Sequence, residues 1–317
     1  MAESLLFAAA LCAVSLLAAR LLPVSLQLHP VSLVARFCQK LALKVNPDAR
    51  RPAAQQRVAG FLALLLVLSL PLLLWYGFYL MSSWPLLLDA IILLCCFSWA
   101  GYRQLGLSLC RQLEQGQLAQ ARQQAQRLLL RDTKALSQLG LVKAALESLA
   151  VRFQQQVVAI IFWYLIAGAA GALCCRLCQI ASQQWSVKRP EFREFGRAAA
   201  LCSRLFNVPA YLLGAMLLRL QSVGRQAQAP VERAEGKAFP VSRRLLLQQL
   251  SRTLKVSLGG PARYQQHEVR RPRLQQRYEP VVADVRRLLT LLDYQLYIWL
   301  LLLCLCCCLL WFVAVPG

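Results

Sequence analysis

The chain is 317 residues long, 58% hydrophobic, and carries a formal net charge of +22. Its uncharged apolar runs are too long for a soluble globular domain. Its bases are spread through every connecting stretch with no folded module to present them, which excludes a nucleic-acid binder. What remains is a polytopic, all-α integral membrane protein.

In chain order, residues 4–22 are a first apolar stretch, ending near Arg20. Only Glu3 is charged ahead of it, so it lacks the basic leader of a signal peptide and reads as a span. Residues 60–81 (GFLALLLVLSLPLLLWYGFYLM) are uncharged and long enough to cross about 30 Å of hydrocarbon at 1.5 Å per residue. Residues 85–101 follow almost directly through Ser82-Ser83-Trp84, forming a helical hairpin, with Asp89 inside the second arm. Residues 110–127 are a Gln-rich polar helix former with one Leu/Ala stripe. The next stretch, 128–150, opens on Arg131-Asp132-Thr133. Leu139, Val142, Leu146, Leu149 and Phe153 recur at three- and four-residue spacing and predict one apolar helix face, with Ser137 as its N-cap.

Residues 157–181 (VVAIIFWYLIAGAAGALCCRLCQIA) are long enough to span, but both flanks are basic. Gly168 and Gly171 fall mid-segment, where they could break the helix into two halves that dip in and return, with a full crossing as the open alternative. Irregular backbone at that depth is tolerated where it lines a protein cavity. Residues 205–218 are short for a span and are interrupted by Pro209, predicting an interfacial piece. Residues 220–292 read as a large basic loop in which Leu258-Gly259-Gly260-Pro261 is a turn, because the glycines permit positive φ and Pro261 cannot continue a helix. The last span is 294–315. The expectation is therefore one membrane domain over 1–317 with about four transmembrane helices, re-entrant or interfacial helices, a helical segment at 102–156 and a basic loop at 220–292.

Charge orients it. Six basic residues oppose Asp48 in 23–58, eight oppose three acids in 102–155, and fourteen oppose five in 220–292, whereas 82–84 carry none. Lys and Arg are retained on the cytoplasmic side. Both large loops are thus expected in the cytoplasm and both termini outside, in a bacterial inner membrane.

The thirteen cysteines fall mostly in apolar segments, where they pack as small polarizable side chains. Cys175 and Cys178 have CxxC spacing, with Cys174 beside them, but no second pair and no nearby His, so no zinc site is expected. No Walker A, GxGxxG or HExxH motif occurs.

Taken together, LLLRDTKALSQLGLVKAALESLA and the VVAIIFW that follows resemble the core of the CobD/CbiB family of membrane proteins. The resemblance runs through Arg131-Asp132-Thr133, then Glu147, Ser148 and Ala150, then Phe162-Trp163. Further matches are His29-Pro30-Val31, Phe195-Gly196 with the Ala-Ala that follows, Asn207 with Pro209-Ala210, and Leu258-Gly259-Gly260-Pro261 with Tyr264. They keep their order from about residue 15 to residue 290.

The resemblance implies adenosylcobinamide-phosphate synthesis, an ATP-dependent amide ligation of aminopropanol or its phosphate to a propionate of adenosylcobyric acid. It makes Asp132 and Glu147 the catalytic candidates. Arg131, Thr133, Ser148, Asn207, Gly259, Gly260, Tyr264 and His29 are candidates for binding substrate or phosphate. ATP and magnesium are the cofactors if the protein is active, and no metal-ligand set is identified. The implied partners are the lipid bilayer, the corrinoid and the aminopropanol compound, with other membrane proteins of the pathway as further candidates and no nucleic acid.

Acids are missing where that chemistry needs them. The family's Gly-Asp-Pro is replaced near residues 19–25. Val151-Arg152 and Gln155 stand in its Ala-Glu-Asn-x-x-Asp, Gln179 to Gln183 in its Asn-Thr-Leu-Asp-Ser, Ser203-Arg204 at a paired Asp, and Tyr211 at an Arg. Two readings follow: a divergent synthase working with Asp132 and Glu147, or a non-catalytic relative similar to AmpE, an inner-membrane protein linked to β-lactamase regulation.

Overall fold

The structure is a computed structural model and describes residues 2–21, 29–48, 51–129, 132–134, 136–222, 231–233, 240–260, 262–264, 267–269 and 271–314. The protein is an all-α integral membrane protein with a few short strands. Among the described residues, five helical stretches are long and apolar enough to cross a membrane, at residues 53–81, 85–114, 138–184, 197–221 and 282–312, and a shorter apolar helix covers 5–21. The chain divides into two compact units, one of residues 1–100, 156–207 and 297–317, the other of 101–155 and 208–296.

In the first unit, helices α1 (Ala2–Leu21), α2 (Pro30–Val45), α3 (Ala53–Met81) and α4 (Pro85–Cys96) all pack on α8 (Ala159–Gln184). The core around Trp185 explains several local sequence choices. Trp185 and Phe195 meet edge to face with centroids 5.1 Å apart, and the Trp185 indole N–H donates to the Cys38 carbonyl at 3.0 Å. Backbone approaches so closely here that only glycine fits. A Cβ on Gly60 would lie 1.9 Å from the Phe195 carbonyl oxygen, and one on Gly196 equally close to that of Trp185.

The second unit contains α5 (Trp99–Glu114) from Gly101 onward, α6 (Leu118–Leu128), α7 (Gln138–Phe153), the later part of α9 (Arg197–Gln221), α10 (Val241–Leu254) and the start of α11 (Val282–Ala314). An antiparallel sheet of order β1 (Val231–Arg233), β5 (Arg273–Gln275), β2 (Leu258–Gly259) and a hairpin of β3 (Ala262–Tyr264) with β4 (His267–Val269) complete it. Ser137 caps α7, its hydroxyl accepting from the Gly140 amide at 3.2 Å.

Several expectations need correction. The Gln-rich stretch is two helices, because the chain turns at Gly116 with φ +72°. Its buried stripe in α6 is Ala121, Ala125 and Leu128. Helix α7 is buried nearly all round, Lys143, Glu147 and Arg152 included, while Leu139 is exposed. The basic stretch 220–292 carries α10 and the described strands β1 to β5, and Leu258-Gly259 forms β2 rather than a free turn. Residues 157–181 lie within a π-turn at 154–158 and helix α8, whose only non-helical residues are Ala167 and Gly168 (φ +61°, ψ −158°). The expected glycine break is present, inside a helix of spanning length. Residues 205–218 belong to α9, 25 residues long, which runs through Pro209.

Candidate functional site

Glu147 sits on the buried face of α7 and is 3% exposed. Its Oε1 accepts from the Gly259 amide at 2.9 Å and its Oε2 from Arg271 Nη1 at 3.0 Å. Arg271 Nε donates to the Gly260 carbonyl at 3.1 Å, so one guanidinium ties the carboxylate and the glycine turn together. Gly259 and Gly260 adopt φ of +81° and +97°. At Gly259 a Cβ would also meet the Pro272 carbonyl oxygen at 2.3 Å, which excludes other residues on two grounds. The Gly260 amide donates to that same Pro272 carbonyl at 3.3 Å. Both glycine amides are therefore directed at protein acceptors, which leaves the turn without the outward N–H groups of a phosphate cradle.

The residues beside Glu147 have local work. Ser148 Oγ donates to the Leu128 carbonyl at 3.1 Å, and Arg152 donates to the same oxygen through Nε and Nη2. These bonds satisfy an open carbonyl at the end of α6 with a cation, the sign that a helix C-terminus favours. The Arg152 guanidinium also lies over the Tyr102 ring, 4.3 Å from its centroid. Thr133 Oγ1 donates to the Arg122 carbonyl at 2.9 Å, and Asp132 Oδ1 accepts from the Lys134 amide at 3.0 Å in an Asx-type turn. Arg131 lies outside the described residues, as does the side chain of Tyr264.

His29 and Asn207 belong to the first unit. His29 Nδ1 accepts from the Val31 amide at 3.3 Å, capping α2, while Nε2 bonds to the Phe97 carbonyl at 3.0 Å where α4 ends. The two bonds together require a neutral ring protonated on Nε2. Burial, opposed by the Phe97 bond and reinforced by the nearby Arg176 charge, holds the imidazole below its usual pKa. Asn207 accepts from Gln179 Nε2 at 2.9 Å and donates to Ser203. Arg176, 3% exposed, donates to Gln179 Oε1 and Ser98 Oγ, and Ser98 in turn donates to Gln156. This buried layer of amides and hydroxyls surrounds a fixed cation.

Magnesium takes hard oxygen donors in near-octahedral array. Among the described residues no cluster of three or more His, Cys, Asp or Glu side chains could hold a metal ion. Both Glu147 oxygens already accept bonds from protein groups. Among the described residues, no arrangement fits a divalent cation.

The sequence profile of the family described as CobD/CbiB protein matches residues 8–292. The chain belongs to the CobD/CbiB family. It is similar to the cobalamin biosynthesis protein CobD of Chromobacterium violaceum, 28% identical over 297 residues covering 90% of this chain and 92% of that one. The CobD of Stutzerimonas stutzeri is 32% identical over 286 residues, 87% of this chain and 90% of the relative. No solved structure matches.

Family membership makes the replaced positions informative. Gln155, where the resemblance expects an acid, donates to Tyr211 Oη, where it expects an Arg, at 2.8 Å. In this chain the two positions form a neutral hydrogen-bonded pair. Gln179 and Ser203 stand at an Asn and an Asp of the family pattern, and both bind Asn207. Sequence reasoning missed Arg271, because its partner lies 124 residues away and nothing local marks it. The Gln155–Tyr211 coupling was legible only as two separate departures.

Proposed function

We infer that the chain serves cobalamin biosynthesis in the bacterial inner membrane, at the step where aminopropanol or its phosphate is joined by an amide bond to a corrin propionate. In this reading it binds the corrinoid with the family's frame and has lost the ATP- and magnesium-dependent activation of the carboxylate. The family match over most of the chain supports the pathway. The observation that carries the loss of chemistry is the closure of Glu147 by Arg271 and the Gly259 amide. Phosphoryl transfer depends almost wholly on positioned cations and electrostatic stabilisation of the moving charge. The neutral Gln155–Tyr211 pair supplies neither charge.

The test is genetic. A host lacking its own adenosylcobinamide-phosphate synthase, fed adenosylcobyric acid, is given this chain under a cobalamin requirement. Continued failure to grow is expected. Growth restored by the chain and lost with Glu147→Gln would establish the divergent-synthase reading instead. Failure to grow combined with no corrinoid binding by the purified protein would favour the regulatory reading.

A further inference from the structure

We propose that the groove between the end of α10 and the first turns of α11 binds the headgroup of an anionic phospholipid. It has a volume of about 640 Å³ and is lined by residues of the second unit alone. Three of them are cations, Lys255, Arg286 and Arg287, and Tyr294 adds a phenol hydroxyl, the Thr290 hydroxyl being donated to the Arg286 carbonyl at 3.1 Å. Leu254 and Leu291 give the same groove apolar wall. Cations with a phenol hydroxyl at one end and apolar wall at the other match the phosphate and hydrocarbon of a glycerophospholipid.

The charges leave room for an anion. Arg286 gives Nε and Nη2 to Glu114 at 2.9 and 2.6 Å, and Arg287 gives Nη1 to Asp284 at 3.1 Å. A guanidinium has five donors, so each keeps others to offer. Two carboxylates against three cations leave one positive charge, and among the described residues the Lys255 ammonium is in no ion pair. Place argues in the same direction. Arg286 and Arg287 lie at the start of a helix that continues as a candidate span to residue 312. Basic groups at the foot of a span meet the anionic headgroups of the cytoplasmic leaflet.

Backbone conformation supplies an independent observation. Lys255 closes α10 in the left-handed region, φ +59° and ψ +31°, and is the only non-glycine residue with positive φ among those described. Glycine is the usual occupant of that cap, since it meets no Cβ penalty there. A lysine held in a strained conformation beside a cationic groove marks a position where the side chain matters. The inference is independent of any role in corrinoid chemistry.

The strain also provides a clean variant, because Lys255→Gly removes the charge while relaxing the backbone. Full-length protein in a neutral detergent would be titrated with phosphatidylglycerol, phosphatidylcholine and inorganic phosphate, with bound lipid counted by native mass spectrometry. Phosphatidylglycerol should bind more tightly than phosphatidylcholine. Lys255→Gly should weaken it about fivefold, the effect of one basic residue at an anionic surface, while the melting temperature holds or rises. Lys255→Arg should keep the binding. Equal affinity for the two lipids, or unchanged affinity in Lys255→Gly, would overturn the proposal. Displacement of the lipid by inorganic phosphate at comparable concentration would assign the groove to free phosphate and overturn the lipid assignment.

Discussion

A buried carboxylate held by Arg271 and the Gly259 amide contributes to stability only while both partners remain. Removing one member of such a pair leaves an uncompensated buried charge, which typically costs about 3–5 kcal/mol. Glu147→Ala should therefore lower the melting temperature sharply in detergent, and the double variant Glu147→Ala with Arg271→Met should recover part of the loss. If Glu147→Ala melts like the parent, the pair is not a structural clamp and the carboxylate is available for chemistry. His29 gives a second prediction at this scale. Its folded pKa lies below the ordinary imidazole value, mainly through burial. The unfolded chain then binds more protons than the folded one, so stability rises with pH across that window. The His29 contribution is fully present above about pH 6.5 and is lost as pH falls toward the folded pKa. Protonation also destroys the Nδ1 acceptor that caps α2. Thermal melts at pH 7.5 and 5.5 should separate in the parent and converge in His29→Asn, which retains a capping side chain but does not titrate. Equal separation in both would mean that other groups set the acid sensitivity.

At the scale of elements, the long apolar helices were legible because their signal is local. A run such as 60–81 specifies its own helix and its own solvent. The Ser137 cap was legible for the same reason. The strands at 258–275 were not, because each is two or three residues long and exists only through pairing with another, as Leu258 does with Leu274. Asp132 and Thr133 stood out as part of a motif, yet their described bonds are to nearby backbone, the Lys134 amide and the Arg122 carbonyl. The Phe195-Gly196 match resolves into packing: glycine backbones at 60 and 196 admit the Trp185–Phe195 pair. Gly60→Ala would place a Cβ 1.9 Å from a backbone oxygen that cannot rotate away. Its membrane-folded yield should collapse, while Gly77→Ala in the same helix, where nothing lies within 4 Å, should behave as the parent. Equal yields from both would contradict the close approach of α3 to Phe195.

Across the whole molecule, the sequence organises a membrane protein of the CobD/CbiB family whose buried polar groups are amides, hydroxyls and internal ion pairs. Orientation can be read directly. Arg193, exposed between α8 and α9, changed to Cys in a background without other reactive thiols should label from the cytoplasmic side, as the basic flanks require. Labelling from the opposite side would show that α8 crosses completely, which its length allows. The frame-without-chemistry account has one direct measurement. Purified protein in lipid nanodiscs is incubated with adenosylcobyric acid, aminopropanol phosphate, ATP and magnesium, and the corrinoid is followed by absorbance and mass. The account predicts that the corrinoid co-purifies with the nanodiscs in stoichiometric amount while no amide product accumulates. Turnover to adenosylcobinamide phosphate, abolished by Glu147→Gln in a protein that still folds, would contradict it.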